Sequence, residues 1–399
     1  MKTKVITLLL FLVFQASAQL PKDIINQNCF DSGWPDIAKD MLITNDAMYF
    51  LGDQAADNTD DDIIIAKTNL NGELIWLKVY GGSSLDQSMS IIEDDEGYIY
   101  FGAGTISSDG DIQSGIIGGY DAWIVKLDTS GTIIWEKTFG GTANDWGIHL
   151  QYIENGNILA FGSTHSSDID VNTNYGGLDF WIFQITTDGE IINSKVFGSS
   201  MNDNIFSLIQ TSDGGFFSAA RAGANDGVVN AEPRGSHDVW LLKLDANLNI
   251  EWQKLIGGSR YDAGGYGVAQ LEDGGFIING ETESFDGDVH GFDFPDIDNQ
   301  SDIWVVRLDS EGNILWDIAL GGNNYEQTSK VFPNEDGTFT VFGLTYSMNN
   351  GDVEGHHYYV YNPTYPGYDI WMVHLNENGA ILDQRCFGNA AWNMTYRGV

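Results

Sequence analysis

Basic residues are scarce in this chain: 18 Lys and Arg stand against 57 Asp and Glu, a formal net charge of −39. A field of that sign repels phosphate backbones, which makes nucleic acid a poor partner. Anionic polysaccharides are repelled too, unless a metal ion bridges them. Long apolar runs are missing. The one candidate, Val5 to Phe14, is too short to span a bilayer, so no membrane span is expected. It follows Lys2 and Lys4 and precedes "ASA", the pattern of a secretory signal peptide cut near Ala18. A secreted, periplasmic or cell-surface location is therefore expected.

Catalytic signatures are lacking as well. There is no G-x-S-x-G, no H-E-x-x-H, no Walker loop and no Rossmann glycine pattern. The seven histidines (His149, His165, His237, His290, His356, His357 and His374) are scattered. The adjacent pair His356–His357 cannot aim both rings at one site from an extended strand. Cysteine is limited to Cys29 and Cys386, near opposite ends of the mature chain in the related contexts "CFD" and "CFG". An exported protein can keep a disulfide between them. Closing so long a loop would contribute about 5 kcal/mol on chain-entropy grounds. Two unpaired buried thiols are the alternative.

What the sequence does have is a repeat. "DAWIVKLDTSGTIIWEKTFGG" from Asp121 returns as "DVWLLKLDANLNIEWQKLIGG" from Asp238 and "DIWVVRLDSEGNILWDIALGG" from Asp302. The marker aspartate falls at Asp62, Asp121, Asp179, Asp238, Asp302 and Asp369, in steps of 58 to 67 residues. Each unit reads as four short strands, with turns such as "DGG" and "NGN" that accept positive φ, and helical periodicity is absent from the mature chain. A lone four-stranded sheet cannot bury both faces, whereas radial stacking does so and leaves only short edges. The expectation is all-β: a six-bladed β-propeller of four-stranded antiparallel blades, at residues 31–82, 83–141, 142–199, 200–258, 259–322 and 323–389. Residues 1–18 are the signal peptide, 19–30 an N-terminal closure segment and 31–399 a single propeller domain, expected to be a monomer. The closure segment is inferred from "IINQNCF" (Ile24 to Phe30), which matches the outer strand "IINSKVF" (Ile191 to Phe197). "ILDQRCF" at the other end is a further copy. Trp123, Trp181, Trp240, Trp304 and Trp371 are expected to pack between blades; a sugar-binding stripe is the competing reading.

"SFDGDV", "DIWVVRLDSEGNILWDIALGG" and "LEDGGFIINGET" resemble the units of secreted bacterial β-propeller repeat proteins, often called SBBP-like repeats, over nearly the whole mature chain. The resemblance implies the fold and brings no catalytic residues. The C-terminal sorting domain of some such proteins is not expected after Val399.

Strand parity puts the start of each inner strand on the same face as the loop between the second and third strands. Function on such a scaffold sits in loops. Each inner strand opens on an acid: Asp36, Asp86, Asp145, Asp203, Asp262 and Glu326. These six would ring a channel mouth and raise one another's pKa or gather a cation. The other reading is a repeated cap in which each acid binds the adjacent Gly-Gly turn. The fifth-blade loop offers Asp286, Asp288, Asp293, Asp296, Asp298 and Asp302, spaced as calcium ligands are; of these Asp286, Asp288, Asp296, Asp298 and Asp302 are the candidate Ca2+ set. Asx-turns explain such spacing equally, and "DIDVNTN" from Asp168 lacks the glycine an EF-hand loop needs. The sixth-blade loop is crowded with rings: His356, His357, Tyr358, Tyr359, Tyr361, Tyr365 and Tyr368. They would suit a sugar or peptide surface, or fold back as a lid. Two functions remain. One is a non-catalytic binding or scaffold protein for a glycan, a peptide or a cell-surface protein, with calcium as its one candidate cofactor. The other is a polysaccharide-degrading hydrolase or lyase using acids and His/Tyr side chains on the same face.

Overall fold

A computed structural model describes residues 36–55, 61–291, 300–357 and 367–388. The protein is a six-bladed β-propeller of four-stranded antiparallel blades, and the described residues contain no helix. Strand order within every sheet follows the chain. The described residues up to Phe197 form one compact unit and those from Gly198 a second, with three blades in each.

The first unit holds β1–β4 (Asp36–Ile43, Ala47–Ala55, Asp61–Asn69, Leu74–Tyr80), β5–β8 (Asp86–Glu93, Ile99–Thr105, Asp121–Leu127, Ile133–Phe139) and β9–β12 (Asp145–Tyr152, Ile158–Thr164, Asp179–Ile185, Ile191–Phe197). The second holds β13–β16 (Leu208–Gln210, Phe216–Ala222, Asp238–Leu244, Ile250–Ile256), β17–β20 (Asp262–Gln270, Phe276–Thr282, Asp302–Leu308, Ile314–Leu320) and β21–β24 (Glu326–Pro333, Phe339–Thr345, Asp369–Leu375, Ile381–Phe387). Every strand lies inside the blade limits read from the repeat. The inner strand of the fourth blade departs from expectation. Expected from near Asn204, it is cut to Leu208–Gln210, with an isolated bridge between Asn204 and Arg221. The pairings Asn204 to Arg221 and Leu208 to Ser218 leave one extra residue on the inner side, which interrupts the ladder.

Burial follows strand position. The third strands β7, β11, β15 and β19 are buried at every residue, because sheets cover both of their faces. The fourth strands keep one row exposed, as in β4 and β8. Trp123, Trp181, Trp240, Trp304 and Trp371 are fully buried, as the inter-blade reading requires. Each indole N–H still finds an acceptor on the neighbouring fourth strand: Glu136, Ser194, Gln253, Asp317 and Gln384, at 2.8–3.0 Å. A buried indole needs such a partner, and a tryptophan so placed has no ring face left for a sugar. The fourth-strand tryptophans tie blades together within a unit. The indole N–H of Trp135 donates to Thr187 O at 3.0 Å, and that of Trp316 to Glu377 O at 2.9 Å.

Candidate functional site

The Gly-Gly turn between blades collects the acids. Where the second blade passes to the third, three successive amides each meet a carboxylate. Gly140 N donates to Asp170 Oδ2 at 3.2 Å, Gly141 N to Asp145 Oδ2 at 2.8 Å and Thr142 N to Asp168 Oδ1 at 2.8 Å. The turn after the first blade repeats this with Asp111, Asp86 and Asp109. In the second unit the turn at Gly257 uses Asp288, Asp262 and Asp286, and the turn at Gly321 uses Asp352, Glu326 and Asn350. Consecutive amides form a concavity suited to an anion, and here side chains of the protein fill it. The "DGD" motif thus has a defined job. Its first acid holds the amide after the Gly-Gly pair and its second holds the first glycine.

The acids that open the inner strands of the second, third, fifth and sixth blades also hold the end of the second strand. Asp145 accepts from Ser166 Oγ at 2.8 Å and from Thr164 Oγ1, and Asp262 accepts from Thr282 Oγ1 at 2.5 Å and Ser284 Oγ at 2.9 Å. Asp203 accepts from Ser199 N and Oγ. Asp86, Asp145, Asp203, Asp262 and Glu326 are 0% exposed, so none of them meets solvent or a ligand directly. Asp36 opens β1. Burial pushes the carboxyls of Asp86, Asp203 and Asp262 above the ordinary aspartate range, and that of Glu326 to about 7. The cause expected from sequence, repulsion among the six, is not what raises them: the like charges that add to desolvation are Asp109 at Asp86 and Asp286 at Asp262. The hydrogen bonds pull the other way, toward the ionised form.

The candidate calcium set is divided. Asp286 and Asp288 belong to the Gly257 turn, where Asp288 also pairs with Arg234. Asp302 opens β19 and lies at the next turn: a Cβ on Gly321 would stand 2.1 Å from Asp302 Oδ1 and 2.8 Å from Glu326 Oε2. The loop folds back onto the turn preceding β17, which parts its first two acids from its last. Asp293, Asp296 and Asp298 lie outside the described residues. Among the described residues no group of three or more His, Cys, Asp or Glu side chains is arranged to hold a metal ion.

The aromatic loop of the sixth blade is described only at its ends; Tyr358, Tyr359, Tyr361 and Tyr365 lie outside. His356 is buried, and His357 shares its Nδ1 with Asp369 Oδ2 at 2.9 Å. Tyr368 packs at 5.2 Å from Tyr346, whose ring lies 6.1 Å from Tyr325. Cys386 is buried, its thiol pushed up to about 12 chiefly by burial; Cys29 lies outside the described residues.

The residues that flank the buried acids do reach the surface, and they vary from blade to blade. In the first unit, Tyr120 lies over Gly104, where an added Cβ would meet its ring at 2.0 Å. Its hydroxyl donates to Gln87 Oε1 at 3.0 Å and its amide to Asn144 Oδ1 at 3.0 Å. Trp146, next to Asp145, packs at 5.2 Å from His165. Gln87, Met89, Tyr120, Asn144 and Trp146 surround a pocket of about 310 Å³ above Gly104. In the second unit the corresponding positions carry other rings. Arg221 Nη1 donates to the Tyr261 hydroxyl at 2.7 Å, and His237 meets the Tyr261 ring edge-on at 5.7 Å. Sequence reasoning passed over Tyr120, Trp146, Arg221 and Tyr261 as site residues and set His237 aside as one of seven scattered histidines. The signal that finds them is departure from the repeat at positions next to a constant acid.

No family model matches this chain. A curated relative, the regulatory protein FlaEY of Caulobacter vibrioides, is 27% identical over 170 residues, or 40% of this chain and 18% of that protein. The match therefore spans less than a fifth of the relative's length. Solved structures that resemble the chain include puromycin hydrolase, at 11% identity and a TM-score of 0.47 over 88% of this chain and 46% of that one. The α-L-arabinofuranosidase of Fusarium graminearum has 10% identity and a TM-score of 0.46, over 78% and 90%. The Pan2 WD40 domain of Neurospora crassa has 9% identity and a TM-score of 0.39, over 76% and 75%. None of these likenesses lends an activity to this chain.

Proposed function

We propose that this is an exported, non-catalytic binding protein of the SBBP-like repeat type, released from a signal peptide near Ala18. Its ligand, a glycan or peptide on a surface partner, would sit on the face where the inner strands open. One observation carries this reading: the acids constant across the repeat are buried against backbone amides, while the varying neighbours surround a pocket at the surface. Ligand sites are concave, with rings and a few placed polar groups, and about 300 Å³ is the lower end of their usual size. A polysaccharide-degrading activity needs an acid in contact with substrate, and five of the six inner-strand acids are fully buried against turn amides instead. Mature protein on an array of glycans and peptides should bind a defined subset, and Trp146→Ala should abolish it. Soluble fragments released from a bound polysaccharide would instead support the enzyme.

Calcium is a separate proposal for the fifth-blade loop. It would draw on Asp296 and Asp298, with the oxygens of Asp286 and Asp288 not used at the turn. EDTA is then expected to lower the thermal midpoint by a few degrees, read by circular dichroism at constant ionic strength. An unchanged midpoint removes the ion.

A further inference from the structure

The pocket of the first unit permits a narrower statement, which rests on reading its face as a binding surface. Its lining combines two aromatic rings, Tyr120 and Trp146, with the thioether of Met89 and the amides of Gln87 and Asn144. No lysine or arginine lines it. Carboxylates stand directly behind the lining: Asp86 precedes Gln87, Asp121 follows Tyr120, and Asp145 lies between Asn144 and Trp146. All three are fully buried. Asp53, which accepts from Ser88 N next to Gln87, is paired with Lys39 at 3.3 Å. Burial raises the Tyr120 phenol above the usual tyrosine range, with the charges of Asp53, Asp86 and Asp61 as lesser causes, and burial raises Asp86 and Asp121 as well.

An anion entering this pocket would meet the field of those carboxylates unscreened. A neutral sugar would stack on a ring and gain nothing from the charge. A cation gains twice, from the carboxylates behind and from the negative faces of the rings in front. Trp and Tyr are the two best ring partners for a cation, and Met is a soft, adaptable contact. The amide oxygens are already turned inward: Gln87 Oε1 accepts from the Tyr120 hydroxyl and Asn144 Oδ1 from the Tyr120 amide. These bonds hold the ring in place over Gly104, so the aromatic wall is formed before any ligand arrives. The whole chain carries a charge of −39, which would draw such a ligand in at low salt.

We propose that this pocket takes an organic cation, the guanidinium or ammonium head of a basic side chain on a peptide partner, seated against Trp146 and Tyr120. The partner is then a basic protein segment rather than a neutral glycan.

The test titrates full-length mature protein with N-acetyl-L-arginine amide by calorimetry, holding ionic strength fixed with sodium chloride. N-acetylglucosamine is the neutral comparator. Saturable one-to-one binding of the arginine amide is expected, at least ten-fold weaker in Trp146→Ala. Trp146→Phe, which keeps a ring and guards against a folding defect, should fall between the two. N-acetylglucosamine should not bind. Trp146-dependent binding of N-acetylglucosamine without arginine binding would overturn the cation and leave the binding face intact. Arginine binding that Trp146→Ala leaves unchanged would also overturn it, as diffuse attraction to an acidic surface. Binding of neither probe, with no hits on the array, would overturn both readings.

Discussion

Gly140→Ala is expected to destabilise the protein by about 3 kcal/mol, combining a strained backbone with overpacking at a buried position. Gly140 sits at φ 151°, which alanine adopts only with strain. The space is also taken: a Cβ there would stand 2.6 Å from Asp145 Oδ2 and 3.1 Å from Asp121 Oδ1. Neither carboxylate is free to retreat. Asp145 holds Gly141 N and Ser166 Oγ, and Asp121 holds the amides of Ile117 and Gly118. Relief would have to break hydrogen bonds to charged acceptors, worth about 1.5–3 kcal/mol each. A fall in thermal midpoint of roughly 5–10 °C follows for a unit of this size. Gly115→Ala supplies the comparison. Gly115 has φ 74° but open space around its missing side chain, so it bears the backbone cost of about 1–2 kcal/mol alone. If the two variants melt together, the carboxylate-filled turn contributes nothing special.

That turn marks the boundary of what the sequence could reveal. The strands, their order and the blade limits were legible because each strand is a short apolar run closed by Gly or Asp, and because the run recurs. The five tryptophans were legible as core for the same reason. The role of "DGD" was not. Asp170 meets Gly140 across 30 residues and Asp288 meets Gly257 across 31, so the contact depends on a fold-back that no local pattern encodes. Two acids spaced by one residue serve backbone amides as readily as a cation, and composition cannot choose between them. The acids at the inner strands were legible as a repeated feature, with the Gly-Gly cap as one of two readings, and the hydrogen bonds make that cap the one the structure contains. The pocket was hidden for the opposite reason. Tyr120, Asn144 and Trp146 interrupt the repeat rather than follow it, and their convergence needs the loop of one blade to touch the next, as Asp145 N does on Tyr120 O.

Among the described carboxyls, Glu326 is the one whose substitution by glutamine is expected to change the pH dependence of stability most. In the other described blades the corresponding acid is aspartate; here a longer carboxylate fills the same fully buried place. It accepts from Gly322 N at 3.0 Å, Thr345 Oγ1 at 2.7 Å and Ser347 N at 3.2 Å. Burial outweighs those bonds and lifts the group from 4.5 to about 7. The native state therefore holds this proton more tightly than the unfolded chain does. The stability so gained is fully present below pH 4.5 and is lost as pH rises to about 7, amounting to about 3 kcal/mol. Glutamine does not titrate, so it removes that slope. It also turns an N–H group toward a donor, as the protonated carboxyl does with its O–H, so at pH 4.5 the two proteins should differ by about 1 kcal/mol or less. By pH 8 the glutamine variant should be the more stable, by up to about 3 kcal/mol. Burial raises Asp86, Asp203 and Asp262 in the same direction, and the large negative charge adds self-repulsion as pH climbs. Those contributions are common to both proteins and cancel in the difference. Urea denaturation of the pair at pH 4.5, 6 and 8 isolates the Glu326 contribution. Parallel stability curves would mean that its carboxyl titrates in the ordinary range, with the three hydrogen bonds offsetting the cost of burial.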